Sequence, residues 1–169
     1  PELPFVACEE PRGSVHRRKS LETLERVVGR QRLLDAVDVD PTILGLLSLT
    51  PALGSCEVSR ALFLDVETTG LGGGTGNKAF LVGMCWLDVG SRRWTLEQLL
   101  LREPDDEPAL LAVVRERVAA ASFIVSYNGK AFDVPLLGAR MAMNRLPELE
   151  SRPQLDLLHL VRRVHRRRT

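Results

Sequence analysis

Leu62-Phe-Leu-Asp-Val-Glu-Thr-Thr-Gly70 is an apolar run that ends in two carboxylates, Asp65 and Glu67. Residues two apart in a β-strand point to the same face, so this segment presents two oxygen ligands side by side. Mg²⁺ is bound in this way, through one or two carboxylates together with water and substrate phosphate. The alternative is a pair of solvated turn residues, but Asp65 follows four apolar residues, where an unpaired carboxylate is costly. The stretch therefore predicts a metal site at a strand end.

The surrounding pattern predicts an α/β fold with a mixed sheet. Apolar runs at 61–66, 79–87 and 94–101 are typical of strands, and the short connection at 88–91 favours antiparallel neighbours. A helix with acids in its first turn follows from Asp105, and residues 122–127 form a fourth apolar run. Because a strand that follows a helical crossover usually lies parallel to an earlier strand, we expect the fourth strand beside the first.

A second candidate site follows the fourth strand, in Tyr127-Asn-Gly-Lys-Ala-Phe-Asp-Val-Pro135. Asp133 stands near a helix start, where Asp is also a routine cap. If the first and fourth strands are parallel neighbours, they deliver Asp65, Glu67 and Asp133 to one sheet edge, the usual place for ligands. Three carboxylates there would repel one another without cations. One or two Mg²⁺ ions would remove this repulsion and could activate water against a phosphodiester.

The run from Gly70 to Lys78 lacks the Gly-Lys-Ser/Thr ending of a phosphate-binding P-loop. Two interpretations stay open. It is either a flexible loop in which Asn77 and Lys78 touch a phosphate, or a long hairpin turn.

The front third of the chain, residues 1–59, is predicted to be a helical lead-in and linker. Apolar residues recur at helical spacing from Ser20 to Val37, and Asp40-Pro41 has the cap-then-proline pattern of a second helix start. Residues 51–60 have the composition of a linker, so the main domain is expected at 60–169.

Bulk composition is that of one ordinary globular domain, with 169 residues, 44% hydrophobic and 27% charged. The three widely spaced cysteines suggest reduced thiols, and no apolar run is long enough to span a bilayer. We expect a cytoplasmic protein with no membrane contact. Residues 151–169 carry six arginines against the single acid Asp156, a pattern suited to phosphate contact or to a solvated helix face.

Two segments, Leu62-FLDVETTGLGGGTGNKAFLVG and Tyr127-NGKAFDVPLL, together resemble the DEDD exonuclease superfamily, which has a ribonuclease-H-like fold. They look most like its bacterial YprB-type branch, to which Asp156-LLHLVRR is also similar. The resemblance covers about residues 60–168. It implies 3′-to-5′ hydrolysis of DNA or RNA with two divalent ions, Mg²⁺ or Mn²⁺.

The resemblance also implies roles for individual residues. Asp65 and Glu67 match the first exonuclease motif, and Asp133 matches the second as the end of Asn-x-x-x-Phe-Asp; these three are the predicted catalytic and metal-binding residues. The residues expected to contact the nucleic acid flank them in the two segments: Thr68, Thr69, Gly70, Asn77, Lys78, Asn128 and Lys130.

One departure from the family pattern stands out. The third motif, which carries the fourth acid, has no counterpart before Thr169, so we expect a domain incomplete at its C-terminus. Asp156 lies where the family has a structural Asp-Leu-Leu segment and is assigned a role in the fold. A missing fourth acid would weaken at least one ion site. It leaves two alternatives to the nuclease: a non-catalytic nucleic-acid-binding module with the same fold, and a structural domain whose carboxylates are capped and solvated.

Overall fold

A computed structural model describes residues 3–70 and 76–165. The nine strands of the described residues are β1 (Val6–Glu10), β2 (Gly13–Thr23), β3 (Val27–Val28), β4 (Gln31–Arg32), β5 (Ala61–Thr68), β6 (Ala79–Asp88), β7 (Arg93–Leu100), β8 (Phe123–Ser126) and β9 (Gln154–Asp156). The α-helices there are α1 (Pro41–Ser48), α2 (Glu107–Ala120), α3 (Asp133–Met143) and α4 (Leu157–Val164). Short 3-10 helices lie at Leu33–Ala36, Pro51–Ser55, Val58–Arg60 and Pro104–Asp106.

Seven strands form one mixed sheet in the order β1-β2-β7-β6-β5-β8-β9. β5, β6 and β7 are antiparallel neighbours, and β8 pairs with β5 in parallel after the crossover through α2. The predicted mixed sheet, including the parallel position of the fourth apolar strand, is confirmed. The architecture is that of a ribonuclease-H-like fold.

The predicted helix from Ser20 to Val37 is wrong. Residues 13–23 form β2, which pairs with β7 from His16 to Thr23, and β3 and β4 form a separate small hairpin. Pairing with β2 satisfies backbone groups of β7 that would otherwise lie at a sheet edge, and this long-range gain outweighs the local pattern. Leu21, Val27 and Val28 are exposed and Leu24 is buried, so the apolar residues that suggested a helix do not share one buried face.

The second predicted helix is confirmed as α1. Asp40 is its N-cap and accepts a hydrogen bond from the backbone N–H of Thr42 at 2.8 Å, while Pro41 occupies the first helical position, where no N–H is needed. The helix ends at Ser48, and the next residue, Leu49, adopts a left-handed conformation. The lead-in is therefore part strand and part helix, and its boundary at residue 59 stays a prediction.

Helices cover the two faces of the sheet unequally. α2 and α3 pack on one face, over a core that includes Leu64, Val82, Leu99, Leu110 and Leu137. On the other face, a smaller cluster around Leu53 and Phe123 covers β5, β8 and β9, and α1 and α4 lie on that side. Arg163 of α4 donates a hydrogen bond to the carbonyl of Leu47 in α1. α4 carries Arg162 and Arg163 of the arginine-rich segment, and Arg166, Arg167 and Arg168 lie outside the described residues.

Candidate active site

Asp65 and Glu67 lie near the end of β5, where they alternate with the buried residues Leu64 and Val66. Both carboxylates are exposed and lie on the face of the sheet opposite α2 and α3. The register between β5 and β6 shifts between Glu67 and Thr68. A bulge of this kind is frequent beside active sites because it re-aims side chains.

Asp133 is the first residue of α3 and is only 5% exposed. Burial, together with the nearby negative charges of Asp65, Asp156 and Glu67, raises the pKa of Asp133 to about 6. No residue within the described ranges donates a hydrogen bond to the Asp133 carboxylate. The structure thus brings the two sequence segments together, and it leaves a buried acid within a negatively charged surrounding.

These carboxylates do not form a closed cage. Within residues 3–70 and 76–165, no group of three or more His, Cys, Asp or Glu side chains is close enough to hold one metal ion. The donor chemistry nevertheless fits a hard divalent ion, because Mg²⁺ commonly uses only one or two carboxylates and completes its shell with water and phosphate. The uncompensated charge around Asp133 is the local reason why a cation would be favourable there.

Asp156 ends β9, beside β8 in parallel, and is also 5% exposed. Its carboxylate accepts hydrogen bonds from the backbone N–H groups of Asn128 at 2.9 Å, Lys130 at 3.2 Å and Leu158 at 3.0 Å. It therefore caps α4 and fixes the turn that leads to Asp133, and the expected role in the fold is confirmed. The sequence analysis did not predict that Asp156 adds negative charge near Asp133. An acid at the end of a strand parallel to β8 could have indicated it.

We expect Asp156→Ala to lower the free energy of unfolding by about 2 kcal/mol, since it removes a charged acceptor shared by three N–H groups. Asp40→Ala is the matched control: it removes another aspartate N-cap that accepts one such bond, and should cost about 1 kcal/mol. Urea unfolding followed by circular dichroism measures both. Equal losses for the two variants would contradict this account of Asp156.

The turn from Asn128 to Asp133 is held by its backbone. Asn128 has a left-handed conformation, with φ of 66°, and the side chains of Asn128 and Lys130 are exposed. Because the backbone N–H groups are fixed by Asp156, both side chains project from an anchored turn. Their predicted contact with nucleic acid stays a prediction.

The two ends of the glycine-rich run are joined. Thr68 Oγ1 donates to the carbonyl of Gly70 at 2.8 Å, and the backbone N–H of Lys78 donates to Thr69 Oγ1 at 3.1 Å. A Cβ atom on Gly70 would lie 2.7 Å from Asn77 Oδ1, so the residues at the two ends of the glycine-rich run approach each other closely. Residues 71–75 lie outside the described residues, and the choice between a phosphate-contacting loop and a hairpin turn stays open.

Sequence reasoning missed an open groove of about 360 Å³ beside Asp65. Its lining is largely apolar and comes from β5, β6, β7, β8 and the start of α4, including Phe63, Cys85, Leu96 and Tyr127. Burial raises the pKa of the Cys85 thiol to about 11, so this cysteine is a neutral packing residue. Tyr127 is 60% exposed at the groove. The groove joins four strands and the start of α4, and only the sheet order reveals it.

The raised pKa of Asp133 predicts a stability that depends on pH. The folded pKa of about 6 lies above the ordinary 3.8, so folding favours the protonated form and stability is lost as pH rises between these values. We expect Asp133→Asn to be more stable than wild type above pH 6 by about 1 to 3 kcal/mol, and equal to it below the ordinary pKa. Chemical unfolding at a series of pH values tests this.

Glu116→Gln, at an exposed position of α2, is the control for loss of a carboxylate. It should leave the pH profile of wild type unchanged. A destabilised Asp133→Asn protein at neutral pH would show that the Asp133 charge is compensated in solution.

Comparison with known proteins agrees with this fold. The family described as the RNase_H superfamily matches residues 62–169, which is more than half of the chain. The chain therefore belongs to the RNase_H superfamily, and the ribonuclease-H-like resemblance is confirmed. Membership of this class supports a nuclease-type function.

A particular relative is the uncharacterized protein YprB of Bacillus subtilis (strain 168), with 42% identity over 120 residues. The match covers 70% of this chain but only 28% of YprB, so the chain spans less than a third of that relative. Among solved structures, the family B DNA polymerase of the archaeon Pyrobaculum calidifontis aligns with a TM-score of 0.44 and 17% identity, over 58% of this chain and 15% of the polymerase. None of the described helices is long and apolar enough to cross a membrane.

Proposed function

We propose that this chain is the core of a divalent-metal-dependent nuclease that hydrolyses the phosphodiester bonds of nucleic acid from the 3′ end. The observation that carries the proposal is the buried Asp133 carboxylate, which has no hydrogen-bond donor among the described residues and lies in the field of Asp65 and Glu67. The segments that carry these carboxylates meet at one edge of the sheet, where repulsion between their negative charges costs free energy. A bound cation would offset this repulsion, and a cation-dependent activity therefore accounts for the arrangement.

In this proposal Asp65, Glu67 and Asp133 hold Mg²⁺ or Mn²⁺. Two such ions, when bound, supply a polarised phosphoryl oxygen and a water of lowered pKa. The exposed carboxylates on β5 are accessible from solvent, whereas Asp133 comes from the buried start of α3. The ligands thus approach from two elements, and β5 and β8, paired in parallel, fix their separation.

The nucleic acid is proposed to lie across this edge. Thr68, Thr69, Gly70, Asn77 and Lys78 border it on one side, and Asn128 and Lys130 on the other. Lysine side chains and backbone N–H groups suit phosphate oxygens without reading sequence.

Two further surfaces suit a single strand. The exposed ring of Tyr127 offers a surface for base stacking at the groove beside Asp65. Arg162 and Arg163 of α4 are exposed and add phosphate affinity that does not depend on sequence.

A non-catalytic nucleic-acid-binding module is the second candidate. It is favoured by the finding that the described residues contain no group of three side chains able to hold one ion. Such a module would retain the basic surface of α4 and the stacking residue, and would bind strands without shortening them.

The deciding experiment is digestion of labelled single-stranded and duplex DNA and RNA with Mn²⁺, Mg²⁺ or a chelator. Parallel substrates carry a blocked 3′ end or a blocked 5′ end. Stepwise shortening that needs the metal and a free 3′ end supports the proposal. Binding of all substrates without shortening supports the second candidate, and shortening from the 5′ end contradicts the assigned polarity.

A further inference from the structure

Ser126 is the last residue of β8 and is 4% exposed. Its Oγ atom is buried and has no hydrogen-bond partner among the described residues. A buried hydroxyl that makes no hydrogen bond costs free energy, and such groups in native proteins are rare. The hydroxyl therefore calls for an explanation beyond the packing of β8.

The close approach of Gly129 shows what lies beside this hydroxyl. A Cβ atom on Gly129 would be 2.5 Å from Ser126 Oγ and 2.7 Å from Asp133 Oδ2. Both oxygens thus border the same small volume, which only a residue without a side chain leaves open. Ser126 and Asp133 are neighbours across the backbone of Gly129.

Asp156 is the other acid near Ser126, since the two residues are register partners in the parallel β8–β9 pair. Its carboxylate already accepts three backbone N–H groups, whereas none of the described residues donates to Asp133. Among the described residues, the Ser126 hydroxyl thus has no acceptor and lies beside the Asp133 carboxylate, which has no donor. Asp133 is the matching partner for the Ser126 hydroxyl.

We propose that Ser126 is a positioning residue for the metal-binding carboxylate of Asp133. Its hydroxyl donates a hydrogen bond to Asp133 Oδ2 when Asp133 binds a divalent ion, and so holds the carboxylate in one orientation. Groups that hydrogen-bond to a metal ligand in this way typically change metal affinity by about 10- to 100-fold. The inference rests on the proposed function, because it requires Asp133 to be a metal ligand.

The experiment measures Mn²⁺ binding to the full chain by isothermal titration calorimetry, together with the free energy of unfolding without metal. Ser126→Ala should weaken Mn²⁺ binding about tenfold. It should leave the free energy of unfolding unchanged or slightly increased, because it removes a buried hydroxyl that has no partner among the described residues. Ser126→Cys keeps a weaker donor and should fall between wild type and Ser126→Ala.

Ser122→Ala is the matched control. The Ser122 hydroxyl donates to the carbonyl of Glu57 at 2.6 Å, away from the carboxylates, so its loss should leave Mn²⁺ affinity unchanged. If Ser126→Ala binds Mn²⁺ as wild type does, or is destabilised with unchanged affinity, Ser126 has only a packing role and the inference is overturned.

Asp133→Ala separates failure of this inference from failure of the proposed function. If Asp133→Ala loses Mn²⁺ binding while Ser126→Ala retains it in full, the proposed site stands and only the role of Ser126 is wrong. If Asp133→Ala binds as wild type does, or if wild type binds no Mn²⁺, both proposals fail.

Discussion

Asp65→Ala and Glu67→Ala are each expected to slow metal-dependent hydrolysis of nucleic acid by at least about a hundredfold. The reason is that each removes a carboxylate whose proposed role is to hold a metal ion, and a positioned ion contributes several kcal/mol of transition-state stabilisation. Both residues are exposed, so their loss should not unfold the protein. The rate of shortening of a labelled strand in saturating Mn²⁺ is the measurement.

The isosteric variants Asp65→Asn and Glu67→Gln distinguish charge from shape. They keep the side-chain volume and remove the negative charge, so they should be almost as slow as the alanine variants. Glu116→Ala, at an exposed site on α2, should digest at the wild-type rate. Digestion by Asp65→Ala and Glu67→Ala at the rate of this control would remove both residues from the active site.

The strands around the site could be predicted because their signals are local and agree with a topological rule. β5, β6, β7 and β8 are apolar runs bounded by turn residues, and the crossover through α2 dictated that β8 lies parallel to β5. Once these two strands were neighbours, Asp65 and Asp133 had to meet at one edge. The sequence alone therefore predicts that the two short motifs lie together.

The parts that could not be predicted depend on partners distant in sequence. β2 is a strand because β7 offers it an unpaired edge, and nothing near Leu21 in the sequence reports that edge. The unused hydroxyl of Ser126 and the groove beside Asp65 likewise exist only because several elements converge. The same holds for the buried ion pair of Glu107 and Arg140, two residues that are 33 positions apart.

This ion pair joins the start of α2 to α3, the helix that begins at Asp133. Arg140 Nε donates to Glu107 Oε1 at 2.6 Å and Nη2 donates to Oε2 at 2.5 Å, while Asn144 Nδ2 adds a bond to Oε2 at 3.0 Å. Glu107 is 2% and Arg140 6% exposed. Burial by itself would raise the pKa of Glu107, but the hydrogen bonds from Arg140 and Asn144 outweigh it and lower the pKa.

Arg140→Leu is expected to lower the free energy of unfolding by about 3 to 5 kcal/mol at pH 7, because it leaves the Glu107 carboxylate buried without its main partner. The double variant Glu107→Leu/Arg140→Leu should recover most of that loss, since two apolar side chains can replace a buried pair at little cost. Urea unfolding of wild type, both single variants and the double variant gives the coupling free energy directly.

The pH dependence supplies an independent check. A carboxyl whose folded pKa is lowered stabilises the fold above its unfolded pKa, and this stabilisation is lost as pH falls through the folded value. The gap between wild type and Arg140→Leu should therefore shrink in acid, where a buried Glu107 can be protonated. The double variant contains neither group, so its stability should lack this loss in acid.

The same variants test whether the pair matters for the site. Because the pair anchors α3, loosening it should disturb Asp133 and weaken Mn²⁺ binding in Arg140→Leu, and the double variant should restore binding along with stability. A double variant that is stable but still binds Mn²⁺ poorly would mean that charge at this position, rather than the anchoring of α3, supports the site. A gap between wild type and Arg140→Leu that widened in acid would refute the assignment of Glu107 as the unpaired charge.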